Sequence, residues 1–108
     1  MKVIESLKSV NAYPVPKATI ETIAIERGVS VDASVTADIL VSQPYRLAKA
    51  DVLMWLSKAP DISQGGQNYS FTDEQRDEFR KEALRIFADE GVTPPTDNVV
   101  YGYKGSRL

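Results

Sequence analysis

The strongest constraint on the fold is a run of apolar residues at helical spacing that starts at Tyr45 and ends before Pro60. Intervals of three and four place these side chains on one face of an α-helix, and Pro44 is tolerated in the first turn. The inward face comprises Tyr45, Ala48, Val52, Trp55, Leu56 and Ala59. The run therefore predicts a long amphipathic helix. We assign Trp55, the single tryptophan, to the core, although Tyr45 or Trp55 could instead anchor an interface.

A second long helix is predicted from Thr72 to Gly91. Thr72 and Gln75 have the spacing of a capping box, and Gly91 suits the residue that follows a helix. Its inward face comprises Phe79, Ala83, Ile86 and Phe87. Its outward face carries ion pairs at helical spacing, Asp77 with Lys81 and Glu82 with Arg85. We expect the apolar faces of the two long helices to contact each other.

Three shorter helices are predicted before this pair. The first carries apolar residues at helical spacing, namely Val3, Ile4, Leu7 and Val10. The second begins near Pro16 and ends at Gly28, which suits a left-handed cap. The third is expected to be capped by Asp32 and to end near Ser42.

The predicted second and third helices could form a DNA-binding helix-turn-helix motif. Residues 24–30 match the middle of a helix-turn-helix motif, in which a small residue allows close approach of two helices. The following segment, 32–38, contains two acids and no Lys, Arg, Asn or Gln to contact phosphates or bases. Contact with nucleic acid is therefore not the preferred interpretation. A regulatory helix-turn-helix module remains the alternative function.

Two segments outside the helices are candidates for contact with a partner. The loop 61–70 contains Gly65 and Gly66 but lacks the Gly-Lys-Ser/Thr of a phosphate-binding loop, so it is predicted to be a flexible, exposed connection. After Gly91 two prolines favour an extended chain, and Val99–Tyr103 has β propensity but needs a partner strand. We thus predict an all-α domain of about five helices, 1–91, with an extended C-terminal arm, 92–108.

The residue types that are missing exclude several classes of function. The 108 residues include no cysteine and no histidine, which removes disulfides, thiolate zinc sites, thiol catalysis and the commonest general base. Thirteen basic and fifteen acidic side chains give a net charge of −2, so nucleic acid is not attracted overall. No apolar run approaches the roughly 18 residues of a membrane helix. We expect no cofactor, no metal, no small-molecule substrate and no membrane contact.

Carboxylates are the main groups left for chemistry, and they have a simpler explanation. Glu74 and Glu78 lie one turn apart but are interleaved with cations, and the acids suit the positive end of a helix. An active site would require a carboxylate such as Asp51 to be buried beside an apolar pocket. We therefore predict that the protein is not an enzyme.

Three segments carry a resemblance to a known class of proteins. The runs 45–56, 64–71 and 101–108 resemble small prophage-encoded proteins, and the size and helical order over residues 15–91 are similar to phage head–tail connector (adaptor) proteins. That family is mostly helical and assembles as rings between portal and tail. The resemblance implies self-association or contact with phage structural proteins, no chemistry, and a place in the host cytoplasm or the virion.

The residues expected to contact a partner belong to the loop and the arm. Tyrosine supplies contact area at low entropic cost, and cations in the arm can meet carboxylates on a partner, although the arm could equally be a frayed tail. The predicted contact residues are Gly65, Gly66, Asn68, Tyr69, Tyr101, Tyr103, Lys104 and Arg107.

Overall fold

A computed structural model describes residues 1–93 of the chain. Five helices and two short strands follow one another in this part: α1 Val3–Lys8, α2 Lys17–Arg27, α3 Ala37–Leu40, α4 Gln43–Leu56, β1 Ile62–Gln64, β2 Gln67–Tyr69 and α5 Asp73–Asp89. The fold is mostly α-helical, as predicted, but the small sheet makes the expected all-α class only approximate. Most of the expected C-terminal arm lies outside the described residues.

The two long helices, α4 and α5, pack against each other in antiparallel directions. The start of α4 meets the end of α5, where Arg46 forms an ion pair with Glu90. At the other end, Arg76 in the first turns of α5 donates to the carbonyl oxygen of Ala59, just after α4. The predicted contact between their apolar faces is confirmed, and buried residues on the two helices include Ala48, Val52, Leu56, Ala83, Ile86 and Phe87.

The predicted start of α5 is also confirmed. Thr72 Oγ1 accepts the Gln75 backbone N–H at 3.1 Å, and Gln75 Oε1 accepts the Thr72 backbone N–H at 2.9 Å. Two donors that have no partner within the helix are thereby satisfied. The capping box fixes the point at which the chain turns into the helix.

Helices α1 and α2 complete the core on α4. Val3 and Leu7 of α1 and Ile20 and Ala24 of α2 are fully buried. Gly28 ends α2 with φ of 79°, the left-handed conformation expected of it. The sequence therefore located both helices by their apolar spacing and their terminating residues.

The predicted third helix is wrong over its first half. Residues 31–35 form a turn followed by a short stretch that pairs with the N-terminus, because Val3 donates to the Ala33 carbonyl at 2.9 Å and Val35 donates to the Met1 carbonyl at 2.8 Å. In this segment, half-buried residues alternate with exposed ones, as they do in a strand. Helix α3 is a single turn capped by Thr36, whose Oγ1 accepts the Ile39 N–H, and Asp32 caps nothing.

Candidate functional site

The loop between α4 and α5 is a β-hairpin, which corrects the expectation of a flexible connection. β1 and β2 pair in the register Ile62 with Tyr69, Ser63 with Asn68 and Gln64 with Gln67. The turn consists of Gly65 and Gly66, whose φ angles are 59° and 79°. Two consecutive positive φ angles match the twist of paired strands, and glycine adopts them without steric cost.

The backbone of the hairpin stands apart from the helices. Within residues 1–93, β1 and β2 make close backbone contacts with each other and with no helix. Ser63, Gly65, Gly66, Gln67 and Asn68 are exposed, whereas Ile62 and Tyr69 are half-buried and pack against the core. The hairpin therefore presents its turn to solvent and is attached through side chains near its two ends.

A cluster of aromatic rings holds the base of the hairpin. We call this cluster the aromatic base, and it comprises Tyr13, Trp55, Tyr69, Phe71 and Phe79. Tyr13 lies at its centre, because its ring stacks on Phe71 at 5.4 Å and meets the edges of Trp55 at 5.7 Å and Tyr69 at 6.1 Å.

Helix α5 and the end of α4 fix this cluster in place. The Phe71 ring contacts Phe79 of α5 edge-to-face at 4.8 Å. Tyr13 is only 4% exposed, and its hydroxyl donates to the Pro60 carbonyl oxygen at 2.5 Å. Aromatic pairs of this geometry contribute about 0.5–1.5 kcal/mol each beyond the area that they bury.

An arginine reinforces the same end of the molecule. The Arg76 guanidinium donates to the Ala59 carbonyl oxygen at 2.5 Å and to Asp61 Oδ1 at 2.9 Å, and it lies 5.7 Å from the centre of the Phe71 ring. Planar, multiply donating arginine suits such a junction better than lysine does. Arg76 thus ties the end of α4, the start of β1 and the aromatic base together.

The structure brings together half of the contact residues predicted from the sequence. Gly65, Gly66 and Asn68 lie at the exposed end of the hairpin, and Tyr69 belongs to the aromatic base. The other four lie outside the described residues: Tyr101, Tyr103, Lys104 and Arg107.

The sequence did not predict that Tyr13 and Arg76 belong to this site. No local pattern links either of them to the hairpin, because the contacts of Tyr13 span more than 40 residues of chain. The hairpin itself had a signal. Two glycines flanked by residues such as Ile62 and Tyr69 are typical of a tight β-turn between strands.

The hairpin is uncharged, whereas its surroundings carry charges of both signs. All residues from Ile62 to Tyr69 are neutral. Next to the aromatic base lies an open cleft of about 300 Å³, lined by Ser57, Lys58, Asp73, Arg76, Asp77 and Arg80. Lys81 and Arg80 lower the pKa of Asp77 below its ordinary value by hydrogen bonding. A neutral hairpin beside balanced charges has no preference for a polyanion and fits a protein surface better.

The carboxylate considered for catalysis is part of an ion pair. Arg27 Nε donates to Asp51 Oδ2 at 2.6 Å and Arg27 Nη2 donates to Asp51 Oδ1 at 3.0 Å, so the two side chains meet in a two-pronged pair. The guanidinium also lies 5.6 Å from the centre of the Phe87 ring. Asp51 therefore joins α2 to α4. Over residues 1–93, no three acidic side chains come together in a group that could hold a metal ion.

The helix-turn-helix alternative gains no geometric support. α2 and α3 make no close backbone contact in the described part of the chain, and α3 packs on α4 instead. The first half of the segment that would enter a DNA groove is not helical, and Ser34 within it pairs with Lys2 at the N-terminus.

No family model, curated protein or solved structure matches this chain. None of the helices within residues 1–93 is long and apolar enough to cross a bilayer.

Proposed function

We propose that the protein is a structural assembly protein of phage or prophage origin that docks onto a partner through the hairpin 62–69. One observation carries the proposal: an uncharged hairpin stands clear of the helices, yet an aromatic base holds it in a fixed position. A two-stranded hairpin alone is marginally stable in water. The aromatic base supplies the packing that the hairpin lacks.

A fixed hairpin is suited to binding because its shape is set before the partner arrives. Ordering a loop during association costs free energy, and a preorganised element avoids much of that cost. The exposed positions Gly65, Gly66, Gln67 and Asn68 present backbone and amide groups that can form hydrogen bonds with another protein. Docking of this kind requires no chemistry, no cofactor and no metal.

The resemblance to head–tail connectors supports the choice of partner. Its implied partners are phage structural proteins or further copies of this chain. The order of elements in that resemblance is short helices, a long helix, an exposed loop and another long helix, and the order of the helices and the hairpin in this chain agrees with it. The proposed location is the cytoplasm of the host or the virion.

The proposal requires the gene to lie in a phage or prophage genome, and the test is made in that genome. Deleting the gene is expected to abolish infectious particles, with electron microscopy showing heads and tails that are not joined. A copy carrying Asn68→Arg is expected to restore infectivity poorly, because the new charge and bulk lie on the docking surface. Thr22→Arg, which adds the same charge at an exposed position on α2, is the matched control and is expected to restore it fully.

Two results would count against the proposal. Normal particles after deletion of the gene would refute the assembly function. Equal rescue by Asn68→Arg and Thr22→Arg, in a chain produced at normal levels, would refute docking through the hairpin.

A further inference from the structure

The outer edge of β1 is a strand edge that has no partner within residues 1–93. In a hairpin with a two-residue turn, the residues that flank the turn, here Gln64 and Gln67, hydrogen bond to each other between the strands. At the next pair, Ser63 and Asn68, the backbone N–H and C=O groups therefore point away from the partner strand. Among the described residues, no backbone hydrogen bond joins the hairpin to another element. Such an edge is a template for an added strand.

The chain itself contains one further segment with the composition of a strand. Val99-Val100-Tyr101-Gly102-Tyr103 is rich in β-branched and aromatic residues and lies in the part of the chain beyond the described residues. We propose that this segment of one copy pairs antiparallel with the β1 edge of a second copy. This inference rests on the proposed function, since it names a partner for the same hairpin.

Charge complementarity selects β1 and the antiparallel direction. Asp61 immediately precedes β1, and its side chain is 66% exposed although it also contacts Arg76. Lys104 immediately follows the arm segment. Antiparallel pairing sets the end of the arm segment against the start of β1, so Lys104 lies beside Asp61. The residue that follows β2 is Ser70, which offers no charge.

The length of the intervening chain favours a second copy over the same copy. Val92 donates to the Phe87 carbonyl, so the described part of the chain ends near Phe87, and α5 rises about 21 Å from Asp73 to Phe87 at 1.5 Å per residue. The six steps from Thr93 to Val99 span about 20 Å even when fully extended. Pairing within one copy would therefore use most of the extended length of this connection, whereas pairing between copies has no such limit.

Pairing of this kind is head-to-tail. Each copy contributes its arm to one neighbour and its β1 edge to another, so the two surfaces in each contact are different. Contacts of this kind generate rings or open chains of subunits. The ladder is short, so the affinity per contact is low, and association is expected only at high protein concentration.

The experiment measures mass by sedimentation velocity of the full chain over a concentration series that reaches the millimolar range. The wild-type chain is expected to form dimers and larger species. Val100→Pro removes a strand donor in the arm, and Ser63→Pro removes the outward donor of β1 while keeping the inward hydrogen bonds. Each is expected to raise the dissociation constant by about tenfold or more. Ser106→Pro, outside the arm segment, is the matched control and should associate like the wild type.

A charge-swap series tests the direction of pairing. Lys104→Asp is expected to weaken association, and Asp61→Lys combined with Lys104→Asp is expected to recover part of it. Circular dichroism of each variant checks that helicity is unchanged, and Asn68→Pro on the opposite edge should leave association intact.

The outcomes separate this inference from the proposed function. A monomer at all concentrations, or equal association of wild type and Val100→Pro, would overturn the inference. An arm that stabilises the monomer independently of concentration would also overturn it, in favour of pairing within one copy. If Val100→Pro associates like the wild type while Asn68→Arg fails to restore infectivity, docking through the hairpin is supported and pairing of the arm segment with β1 is refuted.

Discussion

Two connections between helices, 29–36 and 61–70, contain extended chain, but they are held in different ways. The first is tied by backbone hydrogen bonds to residues 1–4 and belongs to the stable body of the domain. The second bonds along its strands only to itself and is held by aromatic rings and Arg76 at its base. A connection fixed by backbone pairing has its polar groups occupied, whereas a hairpin fixed at its base leaves its edges and turn available to a partner.

The largest expected effect lies in the body beneath the first connection. Leu7 is fully buried next to the paired N-terminal residues, so Leu7→Ala should lower the free energy of unfolding by about 2–5 kcal/mol, through lost burial and a cavity. Urea denaturation followed by circular dichroism measures this loss. Leu7→Met, which preserves most of the volume, is the control and should cost less than about 1.5 kcal/mol. A small effect of Leu7→Ala would mean that the first connection is not supported by a packed core.

The next effect concerns the aromatic base. Phe71 contacts Tyr13, Phe79 and Arg76, so Phe71→Ala should cost about 2 kcal/mol, less than a fully buried ring because Phe71 is half-buried. Relative to the wild type, amide hydrogen exchange in Phe71→Ala should accelerate more in residues 62–69 than in α2. Phe71→Leu keeps the apolar contact and should restore most of the protection. Uniform loss of protection across the domain would contradict separate anchoring of the hairpin.

Removing the arginine at the same junction should have a smaller effect. Arg76→Ala removes the donors to Ala59 and Asp61, and the expected cost is about 1–2 kcal/mol for hydrogen bonds that involve a charged group. Arg76→Lys retains the charge but cannot make both contacts in the same plane, so only partial recovery is expected. Thermal unfolding of the three proteins provides the measurement. Full recovery by lysine would show that charge alone matters at this junction.

The turn should tolerate one kind of change and resist another. Gly65 has φ of 59°, so Gly65→Val should destabilise the hairpin by about 1–2 kcal/mol, because a β-branched residue is strained in that conformation. Gly65→Asn should be nearly neutral, since asparagine is favoured at this position of such turns. NMR chemical shifts of residues 62–69 report the population of the hairpin. Equal effects of valine and asparagine would contradict the turn geometry.

The smallest effect is expected on the exposed face of α5, which belongs to neither connection. Lys81 hydrogen bonds to Asp77 and lowers the pKa of that carboxyl below its ordinary value. The pair therefore stabilises the fold above the ordinary carboxyl pKa, and this contribution is lost as the pH falls through the lowered pKa. Lys81→Ala should move the Asp77 pKa back toward its ordinary value in an NMR titration. Arg85→Ala, one turn further along α5, is the control and should leave the Asp77 titration unchanged.

The helices were predictable because their signals are local. The apolar spacing from Tyr45, the capping box of Thr72 with Gln75 and the terminating Gly28 each act over a few residues. The predicted third helix was wrong in its first half because Ser34 pairs with Lys2, and no local pattern signals this contact with the N-terminus. Trp55 was assigned to the core but is half-buried, where it contributes to the aromatic base.

The sequence by itself determined helices α1, α2, α4 and α5 and the approximate end of α3, together with the apolar faces that join α4 to α5 and the exposure of the Gly65-Gly66 turn. Only the tertiary structure decided that this turn closes a hairpin with an aromatic base, because Tyr13 and Arg76 approach it from distant parts of the chain. The physical reason is the sequence separation of the contacts that stabilise each element. Helix formation is governed by contacts three and four residues apart, whereas the placement of a hairpin depends on side chains that only folding brings together.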